Sequence, residues 1–211
     1  MAAQAYAEWS IQAYLDKLAG ADPEPGGGSV AALTGALAAG LVTMVTALTL
    51  GKEKYASVQD AMSEIEEQAE KLRGELAAFI TADAEAYAQV AAAMKLPRDN
   101  DILKKERNQV LQAALKGAAE VPLQIAEAAA AVARLSSPAA EKGNPNAVSD
   151  AGVAVLLAEA AAQSAALNVR INLAWIEDPD YKKDAWARIE AVLSETAGLR
   201  EAVLALTYSK I

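Results

Sequence analysis

Residues 25–50 read PGGGSVAALTGALAAGLVTMVTALTL, and this stretch decides the fold class. Its last twenty residues carry no charge. As a helix they would be about 30 Å long, so they form either a membrane span or a helix buried on all sides at the centre of a bundle. Glycine, threonine and alanine make the run weakly hydrophobic. We therefore predict a buried helix and no membrane partner.

The composition of the whole chain agrees with a helical protein. Hydrophobic residues make up 54% of the 211 residues, with alanine prominent among them, and aromatic residues only 5%. Such a composition favours closely packed helices over β-branched sheets. No strand period, internal repeat or linker interrupts the chain. We expect an all-α fold, a single-domain multi-helix bundle over residues 1–211 with a buried central helix.

Apolar periodicity, glycines and prolines predict six helices. Trp9, Ala13 and Leu15 are expected to face inward on the first, Ser29 to cap the second, and Pro122 to kink or restart the fourth. The segment 136–149 is expected to be a loop or a set of turns. The predicted helices cover approximately residues 3–18, 29–50, 57–94, 101–137, 150–177 and 181–208.

Charge and residue usage exclude several classes of function. The formal net charge of -9 opposes nucleic-acid binding, and no basic patch offsets it. The chain has no cysteine and no histidine, so thiolate chemistry and the commonest general base are absent, and we predict no metal site. No basic region precedes an apolar core at the N-terminus, so we expect a cytoplasmic protein without a signal peptide.

Asp83 lies where an apolar residue is expected. Steps of three and four residues define the buried seam of the third helix, and a step of four from Phe79 reaches Asp83. A buried acid needs a partner or a solvated pocket. Asp83 is therefore either a structural acid tied to a cation or a helix end, or a catalytic group. Tyr87, one turn on, either packs or shares the pocket. The seam consists of Val58, Met62, Ile65, Ala69, Leu72, Leu76, Phe79, Tyr87, Val90 and Met94.

A polar line crosses the otherwise apolar fifth helix. Ser164, Asn168 and Asn172 are four residues apart and share one face. Their side chains either hydrogen-bond between helices or contact a ligand. Arg170 points elsewhere, where it pairs with an acid or receives a carboxylate. Upstream, Asn146 and Asp150 lie in a polar turn and either cap the helix or join the site.

The glycine turn at Gly26, Gly27, Gly28 and Ser29 has two explanations. A glycine-rich turn that opens a helix exposes amides and forms an anion site. Alternatively, glycine lets two helices approach closely. The turn matches neither a Walker motif nor a dinucleotide fingerprint, because no Gly-Lys-Ser/Thr follows and no strand precedes it.

Taken together, these motifs resemble the cyclodeaminase/cyclohydrolase family, which includes the C-terminal domain of formiminotransferase-cyclodeaminase and free-standing methenyltetrahydrofolate cyclohydrolases. The similarity follows chain order over nearly the whole length. It rests on PGGGSVAAL (25–33), LTLGKEKY (48–55), ADAEAY (82–87), EVPL (120–123), GNPNAVSDAG (143–152) and NVRIN (168–172).

The resemblance implies an all-helical homodimer that acts on a tetrahydrofolate derivative without metal or other cofactor. It also implies that Asp83 is the catalytic acid/base residue. Folate carries glutamate carboxylates, so we predict Lys52 and Lys54 as binding cations and Tyr55 as a stacking face, although both lysines could instead cap helix carbonyls. The glycine turn then becomes a wall of the folate pocket.

Two activities occur in this family, and they need similar acid/base chemistry. A cyclohydrolase hydrolyses methenyltetrahydrofolate to 10-formyltetrahydrofolate, whereas a cyclodeaminase closes formiminotetrahydrofolate and releases ammonia. The 211-residue sequence contains no formiminotransferase domain, which favours the free-standing cyclohydrolase. A helical scaffold protein that has lost its chemistry is a third alternative.

Overall fold

The computed structural model describes residues 6–211, and over this range the protein is helical without strands. The prediction of an all-α fold is confirmed. Three short 3-10 helices lie at Tyr6–Glu8, Glu53–Val58 and Pro145–Ala147. The α-helices are α1 (Ile11–Leu18), α2 (Gly27–Ala47), α3 (Gln59–Met94), α4 (Asp101–Lys142), α5 (Val148–Trp175) and α6 (Pro179–Lys210).

Helix α2 lies at the centre of the bundle, in contact with α3, α4 and α5. A Cβ atom at Gly35 would lie 2.9 Å from Leu76 of α3 and 3.6 Å from Ala161 of α5, so glycine here permits the close approach of three helices. The prediction that α2 is buried on all sides is wrong for one face. Leu37 on that face is 55% exposed in the single chain.

Two helices are long and apolar enough to cross a membrane by length and composition, namely Gly27–Ala47 and the segment Pro145–Trp175. Within the bundle, 44% of the 18-residue apolar stretch of the first helix and 56% of that of the second are buried. Core helices of soluble proteins have the same composition and burial. The contacts with other helices therefore account for the apolar character of the inward faces of α2 and α5.

The N-terminal predictions need correction. Residues 3–5 of the predicted first helix lie outside the described residues. Trp9, Ala13 and Leu15 do not supply the buried face of α1; Tyr14 is its one buried residue. Helix α2 begins at Gly27 with Gly26 as its N-cap, so Ser29 lies inside the first turn rather than capping it. Gly26 has no side chain to cap the helix, and Asp83 on another helix instead accepts a hydrogen bond from the Ser29 amide in the first turn.

Helix α4 continues through Pro122 and Pro138 to Lys142. Of the two alternatives predicted for Pro122, a restart of the helix is wrong, and the loop predicted from residue 136 is also wrong. Proline lacks an amide proton and leaves the carbonyl four residues earlier without its helical donor. The side chain of Asn172 on α5 donates to that carbonyl, Ala118 O, at 2.8 Å. A contact between helices thus replaces the hydrogen bond that Pro122 removes.

Candidate active site

A cavity of about 290 Å³ opens at the N-terminal end of α2. The loop before α2, the middle of α3, α4 and the C-terminal part of α5 all contribute walls, because α2 and α5 run in opposite directions and bring Gly27 beside Asn168. The lining residues are Pro23, Glu24, Gly26, Gly27, Asp83, Ala84, Tyr87, Val90, Met94, Leu115, Ala118, Asn168, Ile171, Asn172 and Trp175.

Asp83 occupies the floor of this cavity. Its Oδ2 accepts a hydrogen bond of 3.0 Å from the backbone N–H of Ser29, in the first turn of α2. Of the partners expected for a seam acid, the structure provides the helix end, where the dipole favours a negative charge. Burial raises the pKa of the Asp83 carboxyl, and the Ser29 amide partly opposes that rise. The carboxyl is therefore suited to gain and lose a proton.

The glycines make room for this carboxylate. A Cβ atom at Gly28 would overlap the Asp83 carboxyl group, with Cγ only 2.5 Å away. A Cβ atom at Gly27 would lie 3.3 Å from the amide nitrogen of Asn168. Glycine at position 28 is therefore needed for the approach of Asp83 from α3, and glycine at position 27 eases the approach of Asn168 from α5. Close approach, the second explanation of the glycine turn, is what the structure shows.

Two hydroxyl groups lie behind Asp83. The Tyr14 hydroxyl and Ser29 Oγ are 3.0 Å apart, and both residues are buried. Burial raises the pKa of the Tyr14 phenol, the hydrogen bond with Ser29 lowers it, and the nearby Asp83 charge raises it further. Sequence analysis missed Tyr14. No local signal distinguished it, because Tyr6 and Trp9 lie in the same predicted first helix.

The polar line of α5 reaches the cavity at two positions. Asn168 donates its amide to Ser164 O at 2.8 Å, within the same helix. Asn172 donates to Ala118 O, which is the interhelical bond considered as one alternative from the sequence. Both residues also line the cavity, so the two alternatives are compatible.

Aromatic and aliphatic side chains surround the mouth of the cavity. Tyr87 is 47% exposed and Trp175 is 65% exposed, so both rings are accessible to a ligand. Ile171, Met94 and Leu115 are among the aliphatic residues that line the cavity with them. Sequence analysis singled out Tyr87 but missed Trp175 and Ile171, because no local pattern shows that the end of α5 reaches α3.

Five predicted site residues lie at the opposite end of α2. Asn144 connects the segments that carry them, because it accepts a hydrogen bond from the Tyr55 hydroxyl at 3.0 Å and donates one to Leu48 O, directly after α2. Helix α2 separates them from Asp83 by about 30 Å, the length of twenty helical residues. Within one chain, the prediction that they share the Asp83 pocket is therefore wrong. They are Lys52, Lys54, Tyr55, Asn146 and Asp150.

Arg170 also lies outside the cavity. Its guanidinium stands over the ring of Trp186 on α6, 5.4 Å from the centroid. The prediction that it pairs with an acid or receives the ligand carboxylate in this cavity is not met, because its position on α5 turns it toward α6. No Lys or Arg is among the cavity-lining residues within the described part of the chain. Over residues 6–211, no three His, Cys, Asp or Glu side chains are grouped as metal ligands would be.

The sequence model of the formiminotransferase-cyclodeaminase family matches residues 10–191. The chain belongs to this family. The resemblance of the six motifs to cyclodeaminases and cyclohydrolases is thereby confirmed, and the Asp83 cavity is a feature of a formiminotransferase-cyclodeaminase family member.

Several family members are similar along the chain. A methenyltetrahydrofolate cyclohydrolase of Methylorubrum extorquens is 41% identical over 202 residues, which are 96% of this chain and 97% of that protein. The formimidoyltransferase-cyclodeaminase of Rattus norvegicus is 31% identical over 91% of this chain. The aligned part is 36% of the rat protein, so the chain spans about a third of that relative's length.

The fold is also shared with a solved structure of the family. The crystal structure of formiminotetrahydrofolate cyclodeaminase from Thermotoga maritima superposes with a TM-score of 0.87 at 31% sequence identity. The match covers 96% of this chain and 97% of that chain. The arrangement of the six helices is therefore that of a cyclodeaminase.

Proposed function

We propose that the protein is a methenyltetrahydrofolate cyclohydrolase, which hydrolyses the cyclic amidinium of methenyltetrahydrofolate to 10-formyltetrahydrofolate. The observation that carries this proposal is the 41% identity to such an enzyme along 97% of that enzyme's length. The cavity supports it. Among the described residues that line the cavity, Asp83 and Glu24 are the charged ones, and two acids suit a cationic ring.

In the proposed reaction Asp83 acts first as a base. Its carboxylate accepts a proton from a water molecule while the water oxygen bonds to the amidinium carbon, which gives a neutral carbinolamine. The protonated carboxyl then returns the proton to the departing ring nitrogen as the carbon–nitrogen bond breaks. The regenerated Asp83 carboxylate accepts the remaining hydroxyl proton as the formyl C=O forms, and this proton is then released to solvent. A carboxyl whose pKa is raised by burial performs these transfers near neutral pH better than an ordinary aspartate does.

The walls of the cavity offer contacts to the rest of the folate. Tyr87 and Trp175 present accessible rings on which the pterin or aminobenzoate ring can stack. Asn168 uses its amide N–H on Ser164 O, so its carbonyl oxygen remains for a donor on the pterin. The bare backbone at Gly26 and Gly27 lets the ligand approach α2. This reaction needs no metal or other cofactor, and we propose none.

A formiminotetrahydrofolate cyclodeaminase is the second candidate. It is favoured by the TM-score of 0.87 to the Thermotoga maritima enzyme. In that reaction the ring nitrogen attacks the protonated formimino carbon. Asp83 would accept the proton of the attacking nitrogen and deliver it to the amino group, which leaves as ammonia. The same residues therefore serve both reactions, and only turnover distinguishes them.

The deciding experiment compares both substrates with purified protein. Hydrolysis of methenyltetrahydrofolate is followed by loss of its absorbance, and ammonia release from formiminotetrahydrofolate is followed by a coupled assay. We expect hydrolysis to be the faster reaction. Faster ammonia release would establish the second candidate, and turnover of neither substrate would favour the scaffold alternative.

Asp83→Asn tests the proposed catalytic group in the same assays. We expect kcat to fall by about 10²-fold or more, because the amide accepts no proton at neutral pH. Glu85→Gln is the matched control, since Glu85 is an exposed acid on the same helix and does not line the cavity. Wild-type turnover in Asp83→Asn would remove Asp83 from the mechanism.

We further propose that the protein is a homodimer. Helices α2 and α5 pack along each other and expose apolar side chains that a monomer in water would normally bury. A second copy with the same apolar face is a self-complementary partner. A cytoplasmic location stays a prediction from the sequence. The exposed apolar stripe consists of Leu37 and Met44 on α2, Leu48 directly after α2, and Val153, Leu156, Leu167 and Ile171 on α5.

A further inference from the structure

The segment before α2 makes two hydrogen bonds near Asp83, one to α3 and one to α2. The backbone N–H of Tyr6 donates to Thr81 Oγ1 at 3.1 Å, two residues before Asp83 on α3. The Tyr14 hydroxyl pairs with Ser29 Oγ at 3.0 Å, and the amide of that same serine bonds Asp83. The N-terminal segment thus joins the two helices whose meeting point holds the carboxylate.

We propose that Tyr14 is a positioning residue for Asp83 and acts through Ser29. The proposal rests on the proposed function, in which Asp83 transfers the proton. Tyr14 does not line the cavity that holds Asp83. It holds the first turn of α2 in the orientation that aims the Ser29 amide at the carboxylate.

The burial of the two hydroxyls supports this role. Ser29 is 0% exposed and Tyr14 is 6% exposed, so each hydroxyl depends mainly on the other as a hydrogen-bond partner. Ser29 is not the cap of α2, and its hydroxyl makes no capping bond. Tyr14 is the one buried residue of α1. Its ring packs edge-to-face on Tyr6, with centroids 6.3 Å apart, which fixes the direction of the hydroxyl.

The hydrogen bond from the Ser29 amide to Asp83, which Tyr14 supports, also affects the pKa of the Asp83 carboxyl. The Ser29 amide lowers the pKa of the carboxyl against the rise caused by burial. The titratable groups around Asp83 are Tyr14 from α1, Glu24 from the following loop and Tyr87 from α3. In the described chain, α2, α4 and α5 contribute only uncharged residues to the cavity lining. Loosening the Ser29 amide should therefore raise the pKa of Asp83 further.

Three variants test the proposal: Tyr14→Phe, Ser29→Ala and the double variant. Each single variant leaves one buried hydroxyl unpaired, whereas the double variant removes both, so its thermal stability should return toward that of the wild type. We expect kcat to be about 5- to 10-fold lower in all three, including the double variant. The acidic limb of the pH profile should lie at higher pH in each. Tyr208→Phe, an exposed tyrosine on α6, is the control and should match the wild type.

A readout without substrate separates this proposal from the proposed function. The carboxyl pKa of Asp83 is measured by ¹³C NMR on aspartate-labelled protein, with Asp83→Asn to assign the resonance. We expect an upward shift in all three variants. If the wild type turned over neither folate, the proposed function would fail while the NMR titration still tested Tyr14. A double variant with wild-type kcat and an unshifted Asp83 titration would overturn the positioning role.

Discussion

At the scale of single residues, the site depends on the absence of a Cβ atom at Gly28. Asp83 reaches the α2 backbone because Gly28 has no Cβ, and the carboxyl group occupies the space where that atom would stand. The Ser29 amide is then within 3.0 Å of Asp83 Oδ2. An entropically costly residue at the start of a buried helix is thereby explained by the side chain that packs against it.

Gly28→Ala should displace the carboxylate and break its bond to the Ser29 amide. We expect turnover to fall about 100-fold, because misplacement of a reacting group by about 1 Å has this effect. Stability should fall by about 1–3 kcal/mol, as in other overpacked sites. The measurements are kcat and urea denaturation.

Gly74→Ala is the matched control for Gly28→Ala. Gly74 lies within α3, and a Cβ atom there would meet nothing within 4 Å. It should keep full turnover and gain about 0.5–1 kcal/mol of stability from helix propensity. Equal turnover in the two variants would contradict the requirement for glycine at position 28.

The raised pKa of Asp83 predicts a pH dependence of both activity and stability. Burial lifts the pKa of this carboxyl above its ordinary value of 3.8, so the acidic limb of kcat/KM should lie above that value. For stability the sign is the reverse of that for a salt-bridged acid. The contribution is present below pH 3.8 and is lost as the pH rises through the raised pKa, because the folded state binds the proton more tightly.

Urea denaturation of the wild type and Asp83→Asn across this pH window measures the effect. The asparagine variant has no proton to lose, so its stability relative to the wild type should increase with pH. A constant difference between the two proteins would show that the Asp83 pKa is the same in the folded and unfolded states.

At the scale of helices, α4 and α5 pack extensively, and one hydrogen bond between them repairs an irregularity in α4. Pro122 leaves Ala118 O without a helical donor, and Asn172 supplies the missing donor from α5. The sequence shows both residues as irregularities of their own helices. Their pairing explains why α4 passes through Pro122 without interruption and why an asparagine lies in an alanine-rich helix.

Asn172→Ala should therefore cost about 1–3 kcal/mol in the free energy of unfolding, since Ala118 O would lose its side-chain donor. In a Pro122→Ala background the loss should be smaller, because the new amide can bond Ala118 O within the helix. Asn108→Ala is the control, as its bond to Glu177 is exposed. Equal losses in both backgrounds would contradict the coupling.

At the scale of the whole molecule, the open face of α2 and α5 makes the oligomeric state testable. Leu37→Glu places a charge in the middle of the exposed apolar stripe of α2 and α5. If the wild type is the proposed homodimer, we expect this variant to sediment as a monomer in analytical ultracentrifugation. Ile102→Glu is the control, because Ile102 is 72% exposed at the start of α4, outside the stripe. A wild-type protein that sediments as a monomer at micromolar concentration would exclude the proposed homodimer.

Local patterns were sufficient for the helical class, for the exceptional position of Asp83 and for the family. Helix periodicity depends on residues three and four apart, so a charge on an apolar seam is visible in one segment of sequence. The boundaries of α2, α4 and α5 were less accurate, because a cap or a proline acts with partners from other helices. The inward face of α1 was misassigned for the same reason, since Ser29 is the partner of Tyr14.

By itself, the sequence determined that this protein is an all-α member of its family with an acid on a buried seam. Only the tertiary structure decided which candidates share one cavity. It brought Gly27, Asp83 and Asn168 together, added Trp175 to the cavity lining and placed Tyr14 behind Ser29, while it placed Lys52 at the far end of α2. The physical reason is that a helix keeps residues at its two ends apart by 1.5 Å per residue, whereas packing of antiparallel helices joins positions far apart in sequence.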